Sequence, residues 1–106
     1  MTGAHPNELD LRRIGRLLKQ RARYRYVSPS VQAVPGGYCI VSPCCSRNID
    51  QQGGLIDIAR IDWAAGVWTL YSRDHVGQVW LMYTQSGRLD RLMDCINEDS
   101  KRVFWQ

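Results

Sequence analysis

The spacing of apolar and polar residues predicts an amphipathic helix near the start of the chain, from about Asn7 to Gln20. Four apolar side chains fall within one arc of this helix: Leu11, Ile14, Leu17 and Leu18. Three basic side chains share the opposite side, and we call them the cationic stripe: Arg12, Arg16 and Lys19. Asn7 is a suitable N-cap, and the acidic residues of the first turn complement the helix dipole.

Alternation with a period of two predicts strands further along the chain. The segment "ARYRYV" (22–27) fits a strand, with a continued helix as the alternative, and "YCIVS" (38–42) fits a second strand that Pro43 ends. Between them, "SPSVQAVPGG" is rich in proline, glycine and serine. That composition predicts a loop or an irregular hairpin connection.

The clearest strand signals follow Gly54. Three segments, "LIDIARIDW", "VWTLYSR" and "QVWLMYT", are joined by short connections that each contain a glycine, which predicts an antiparallel meander. After Ser86-Gly87, helical spacing returns, and the ending "VFWQ" is expected to dock on the domain. We therefore predict one α+β domain over residues 1–106, with an antiparallel sheet of four or five strands and a helix near each end.

The last two strands of the meander are apolar on both faces, so one set of side chains lacks an obvious cover within the chain. We expect a second copy to cover it, and we expect Trp68 and Trp80 to share a face if their strands pair in register. The alternative is that the aromatic residues stack on single-stranded nucleic acid. The candidate sheet interface or pocket consists of Trp68, Tyr71, Trp80 and Tyr83.

Composition and charge narrow the class of protein. The 106 residues are 44% hydrophobic and 23% charged, with no long apolar run and no signal-like N-terminus, so we expect a soluble cytoplasmic protein of bacterial type without membrane association. The net charge of +4 is concentrated in the first 30 residues. The candidate surface for nucleic acid or another anionic partner is Arg12, Arg16, Lys19, Arg23 and Arg25, although a solvated helix face would carry the same charges.

The segment "SPCCSRNID" (42–50) has two adjacent cysteines that suggest a metal or redox site, but its spacing argues against one. Adjacent cysteines are poor ligands for a single tetrahedral ion, and a catalytic thiol would depend on His75, which is predicted to lie in a turn. Asp57 and Asp62 stand an odd number of residues apart and should face opposite ways, as ion-pair partners of arginines. We therefore predict free thiols, no metal, no cofactor and no catalytic residues.

Several phrases resemble a family of short bacterial proteins catalogued as a domain of unknown function. The resembling phrases are "LRRIGRLL" (11–18), "IARIDWAAGVWTLYSRD" (58–74) and "EDSKRVFWQ", which has an acidic residue a few positions before Phe-Trp. The resemblance implies the domain boundaries and no activity. Where the family's second strand leads into an Arg-Pro-x-Trp type of segment, this chain has "SPCCSRNID".

These observations predict a small non-enzymatic binding or interaction module that forms homo-oligomers through its sheet. A nucleic-acid-binding accessory protein that uses the basic N-terminal helix is the alternative. A small enzyme whose site is not recognisable from sequence is the third hypothesis.

Overall fold

A computed structural model describes residues 5–21, 28–43 and 55–105 of the chain. The predicted strand at 22–27 and the cysteine pair at 44–45 lie outside these residues. The elements, in chain order, are α1 (Glu8–Leu18), β1 (Ser30–Val34), β2 (Gly37–Pro43), β3 (Leu55–Ala64), β4 (Val67–Asp74), β5 (Val79–Ser86) and α2 (Leu89–Glu98). The predicted α+β class, with a helix near each end of an antiparallel sheet, is confirmed.

Helix α1 forms where the apolar spacing predicted it. The Asn7 side chain caps the helix by accepting the Asp10 backbone N–H at 2.8 Å. The helix ends at Leu18, two residues earlier than predicted, because the next two N–H groups bond to carbonyls three residues back and tighten the last turn. Ile14 and Leu18 are buried, so the apolar arc faces the core.

The sheet is a five-stranded antiparallel meander in the order β1-β2-β3-β4-β5. Its first strand lies within residues 28–37, for which the sequence predicted a loop or an irregular hairpin connection. That prediction is wrong for 30–34. In the structure, Ser30–Val34 pairs with β2 across a tight turn at Pro35 and Gly36, and Gly36 takes a φ of 79° that favours glycine. The proline and glycine therefore mark this turn and not the whole segment.

Two irregularities in the ladders decide which side chains share a face. Between β2 and β3, Ile40 pairs with Ala59 and Val41 with Asp57, so Ile58 is an extra residue. Between β4 and β5, Leu70 pairs with Thr84 and Tyr71 with Met82, so Tyr83 is an extra residue. Each bulge reverses the alternation of inward and outward positions along its strand.

The core lies between the helices and one face of the sheet, which we call the helix side; the other face is the open side. Helix α2 follows Ser86-Gly87, as the helical spacing predicted, and buries four apolar residues: Leu89, Leu92, Met93 and Ile96. The ending docks as expected, since Phe104 and Trp105 are each 1% exposed and the Trp105 indole N–H donates to the Ile96 carbonyl at 2.8 Å. Within the residues described, neither helix is long and apolar enough to cross a membrane.

Candidate interaction surface on the outer strand

Strand β5 forms one edge of the sheet, and its sequence, "VWLMYTQS", contains no charged residue and no proline. Large apolar side chains on this strand are unusually exposed: Val79 (46%), Leu81 (51%), Met82 (62%) and Tyr83 (45%). Edge strands of soluble proteins are ordinarily protected against pairing by charges, by proline, by bulges or by short length. With eight residues and one bulge, β5 is only weakly protected.

The bulge at Tyr83 divides the predicted interface residues between the two sides of the sheet. Trp68 is buried on the helix side, whereas Tyr71 pairs with Met82 and Arg73 pairs with Trp80 on the open side. The expectation that Trp68 and Trp80 share a face is therefore wrong, because it assumed a ladder without a bulge. Tyr83 turns to the helix side, where its ring centre is 5.1 Å from that of buried Phe104.

Positive and negative charges on the open side are close together and balanced. Arg60 Nε is 2.8 Å from Asp62 Oδ1, and Arg73 Nε is 4.0 Å from Asp57 Oδ2. The guanidinium of Arg73 also lies over the ring of Trp80, 5.0 Å from its centre. The two aspartates were expected to face opposite ways, and this is wrong because the bulge at Ile58 brings both to the open side. They do pair with arginines, as the sequence predicted.

Cys39 also lies on the open side, in direct contact with an aspartate. Its Sγ is 3.5 Å from Asp57 Oδ1. Burial, followed by the charge of Asp57 and this hydrogen bond, raises the pKa of Cys39 to about 12. Burial is also the largest cause of the raised pKa of Cys95. Neither thiol has the lowered pKa that activates a cysteine nucleophile. Both are free cysteines.

The cationic stripe is exposed on α1, away from the sheet. Arg12 Nε is 3.0 Å from Glu8 Oε1, an exposed pair one helical turn apart. Neither Arg16 nor Lys19 has a salt bridge to a described carboxylate. The other two members of the predicted anionic-partner surface, Arg23 and Arg25, lie outside the described residues. The structure therefore places Arg12 and Arg16 on α1 and Lys19 at its C-cap.

A cluster of hydrogen bonds and rings at the N-terminus was not predicted from the sequence. The Tyr38 hydroxyl accepts the Asn7 backbone N–H at 2.9 Å and is 2.9 Å from His5 Nδ1. The His5 ring lies near both Trp63 and Trp68, with centres 5.5 and 5.1 Å apart. Tyr38 is 0% exposed, so the cluster ties the chain before α1 to the sheet. No local sequence signal joins residues this far apart.

A groove of about 600 Å³ runs along the helix side between the second half of β5 and the outer flank of α2. Its apolar lining residues are Cys95, which is half-buried, and Leu92, which is 0% exposed, and charged groups form the rim. Its lining is Thr84, Gln85, Ser86, Arg88, Arg91, Leu92, Asp94, Cys95 and Glu98. In the described ranges 5–21, 28–43 and 55–105, no three side chains of His, Cys, Asp or Glu come together as a metal site would require.

Taken together, the fold and the exposed strand define a small α+β domain with a weakly protected sheet edge. The chain belongs to the family "Domain of unknown function (DUF3024)", whose model matches residues 2–106. This confirms the resemblance to an uncharacterised family. No curated protein and no solved structure matches the chain.

Proposed function

We propose that this protein is a non-enzymatic interaction module that self-associates by pairing β5 with β5 of a second copy. The observation that carries the proposal is the edge strand itself: eight residues without charge or proline, with four large apolar side chains about half exposed. Pairing would satisfy the backbone groups of the edge and cover apolar side chains on both sides of the sheet.

A second copy fits this edge for two reasons. An uncharged strand does not repel an identical strand, and antiparallel pairing of identical strands gives a twofold dimer, the commonest oligomer. The open side next to the edge carries Arg73 with Asp57 and Arg60 with Asp62, so its net charge is balanced. Two such surfaces can approach each other without accumulating charge of one sign.

The proposal is tested by placing a charge at the centre of the exposed segment. Leu81→Lys should convert the dimer to a monomer in size-exclusion chromatography with light scattering, because pairing would bury two lysines opposite each other. The matched control is Leu9→Lys on α1, which changes an exposed leucine (79%) on another element and should leave the dimer intact.

Both variants should keep the circular dichroism of the wild type, since both positions are exposed. A wild-type protein that elutes with the mass of one 12.2 kDa chain would overturn the proposal. So would a Leu81→Lys variant that dimerises as tightly as wild type.

We also propose that the protein works in the cytoplasm. Cys39 and Cys95 are free thiols, the state that a reducing compartment maintains. The raised pKa of both thiols also supports a role without thiol chemistry.

A second candidate function is nucleic-acid binding through the cationic stripe. The observation that favours it is that Arg16 on α1 and Lys19 at its C-cap are exposed and have no salt bridge to any described carboxylate. Such side chains are available to contact phosphates. The balanced charges around Tyr71 and Trp80 do not favour stacking of a polyanion on the open side, so we assign this candidate to α1 alone.

A further inference from the structure

The register of the proposed dimer determines which part of the second copy lies beside the groove between β5 and α2. This inference rests on the proposed self-association. In an antiparallel ladder, paired residues share a face, and a twofold axis perpendicular to the sheet passes midway between the two copies of a residue that pairs with itself. Only some residues of β5 can meet both conditions, because the bulge at Tyr83 changes which positions face the helix side.

A register centred on Leu81 keeps paired residues on the same face over the longest stretch of β5. With Leu81 at the axis, Val79 pairs with Tyr83 on the helix side and Trp80 pairs with Met82 on the open side. Centring on Met82 would place Trp80 opposite Thr84, which face opposite sides of the sheet. Centring on Trp80 would leave Met82 and Tyr83 unpaired. The Leu81 register pairs all of the exposed apolar residues of β5.

The same register brings the partner's β4–β5 turn alongside the groove. If the register about Leu81 is continued beyond the five paired residues, residues 75–78 of the partner lie opposite residues 84–87. The groove between β5 and α2 lies beside residues 84–87. The tip of this turn carries Val76, which is 97% exposed. The Asp74 carboxylate fixes the shape of the turn by accepting the N–H groups of Val76 and Gly77 at 3.1 and 3.2 Å.

The chemistry of the groove matches that turn. The half-buried Cys95 offers its side chain to Val76. Asp74 lies on the helix side of β4, the side of the groove, and Arg91 on the rim has no salt bridge to a described carboxylate. In this register, the exposed turn of one chain and the groove of the other come together across the twofold axis.

We infer that the groove between β5 and α2 is a composite site that receives the β4–β5 turn of a second copy, with Val76 of the partner against Cys95. The dimer therefore contains two identical copies of this site, which we call seats, one at each end of the paired β5 strands and both on the helix side. Each seat adds contact area to a strand pairing that by itself spans five residues.

Cross-linking tests the seat separately from the dimer. In a background with Cys44→Ser and Cys45→Ser, Val76→Cys treated with a short bismaleimide should give a product of doubled mass on a denaturing gel. Peptide mapping should join position 76 of one chain to Cys95 of the other. Adding Cys95→Ser should remove this link. Cys39 is buried and its pKa is about 12, so it contributes little background.

A second variant measures how much the seat contributes. Val76→Ser should raise the dissociation constant of the dimer about threefold to tenfold, since the valine would be partly buried against Cys95. The control Leu9→Ser should leave the constant unchanged. Both residues are exposed in the single chain, so neither change should affect folding.

The outcomes separate this inference from the proposed function. In the same cysteine background, Leu81→Cys should form a disulfide with itself across the axis, because antiparallel partners stand about 4.5–5.5 Å apart at Cα. A dimer with the Leu81→Cys disulfide but without the 76-to-95 link, and with Val76→Ser as tight as wild type, overturns the seat and leaves the self-association standing. A monomeric wild type overturns both.

Discussion

The carboxylate of Asp99 accepts the backbone N–H of Trp105 at 2.8 Å. Its two oxygens also accept the N–H groups of Val103, at 2.7 Å, and Phe104, at 3.2 Å. Asp99 is 4% exposed and occupies the left-handed region with a φ of 39° at the end of α2. This residue therefore folds the chain back so that both aromatic side chains enter the core. In the ending "EDSKRVFWQ", the acidic residue that holds the aromatic pair is Asp99.

Asp99→Ala should lower the free energy of unfolding by about 2–4 kcal/mol, because it removes charge-assisted hydrogen bonds and leaves buried N–H groups without that acceptor. Urea denaturation followed by tryptophan fluorescence measures the loss. Asp94→Ala, an exposed aspartate on the same helix, should change it by no more than about 0.5 kcal/mol. Equal losses in the two variants would contradict the role given to Asp99.

Tyr38→Phe should lower the free energy of unfolding by about 1–2 kcal/mol, since the Asn7 N–H loses its acceptor inside a part-buried cluster. Hydrogen exchange at the Asn7 amide should accelerate by more than the global loss of stability explains. Tyr71→Phe is the matched control, because the Tyr71 hydroxyl has no hydrogen bond to a described residue. An unchanged Asn7 exchange rate in Tyr38→Phe would show that the hydroxyl does not hold the N-terminus.

Cys39 should make stability fall in alkaline solution. Its pKa is raised by burial and by Asp57 from 9.0 to about 12, so above pH 9 the unfolded chain loses this proton while the folded chain retains it. The contribution is complete below pH 9 and is lost as the pH rises towards 12. Cys39→Ala should reduce the fall in urea midpoint between these limits. An identical fall in the variant and the wild type would contradict the assignment.

If the cationic stripe binds nucleic acid, retardation in a gel at low salt should be weakly selective for sequence and should decline steeply as salt is added. Replacing Arg12, Arg16 and Lys19 by glutamate should abolish it. A variant with Arg88→Glu and Arg91→Glu on α2, which carries two of the same charge reversals, is the control. Absence of retardation by the wild type at low salt would remove this candidate function.

Much of the fold could be predicted because the relevant signals are local. The spacing of Leu11, Ile14 and Leu18 gave the first helix, and glycine-containing connections gave the meander. β1 was missed because Pro35 and Gly36, which form only a tight turn, made the whole segment resemble a loop. Composition over ten residues does not distinguish a turn from the strand beside it.

The candidate surface was less predictable because it depends on two bulges. A bulge is set by how two strands fit together, and the extra residues Ile58 and Tyr83 have no distinctive sequence signal. Each reversed the expected face of a residue, Asp57 in β3 and Trp80 in β5. The contact between His5 and Tyr38 was missed for a related reason, since 33 positions separate the two residues.

The pairing of two β5 strands about Leu81 can be tested by isotope-filtered nuclear Overhauser spectroscopy. The sample is an equal mixture of ¹³C-labelled and unlabelled chains, in which filtered contacts arise only between copies. The account predicts contacts between Leu81 α-protons of the two chains, and between Val79 of one chain and Tyr83 of the other. A dimer whose filtered contacts arise from other elements, with none between the β5 strands, would contradict it.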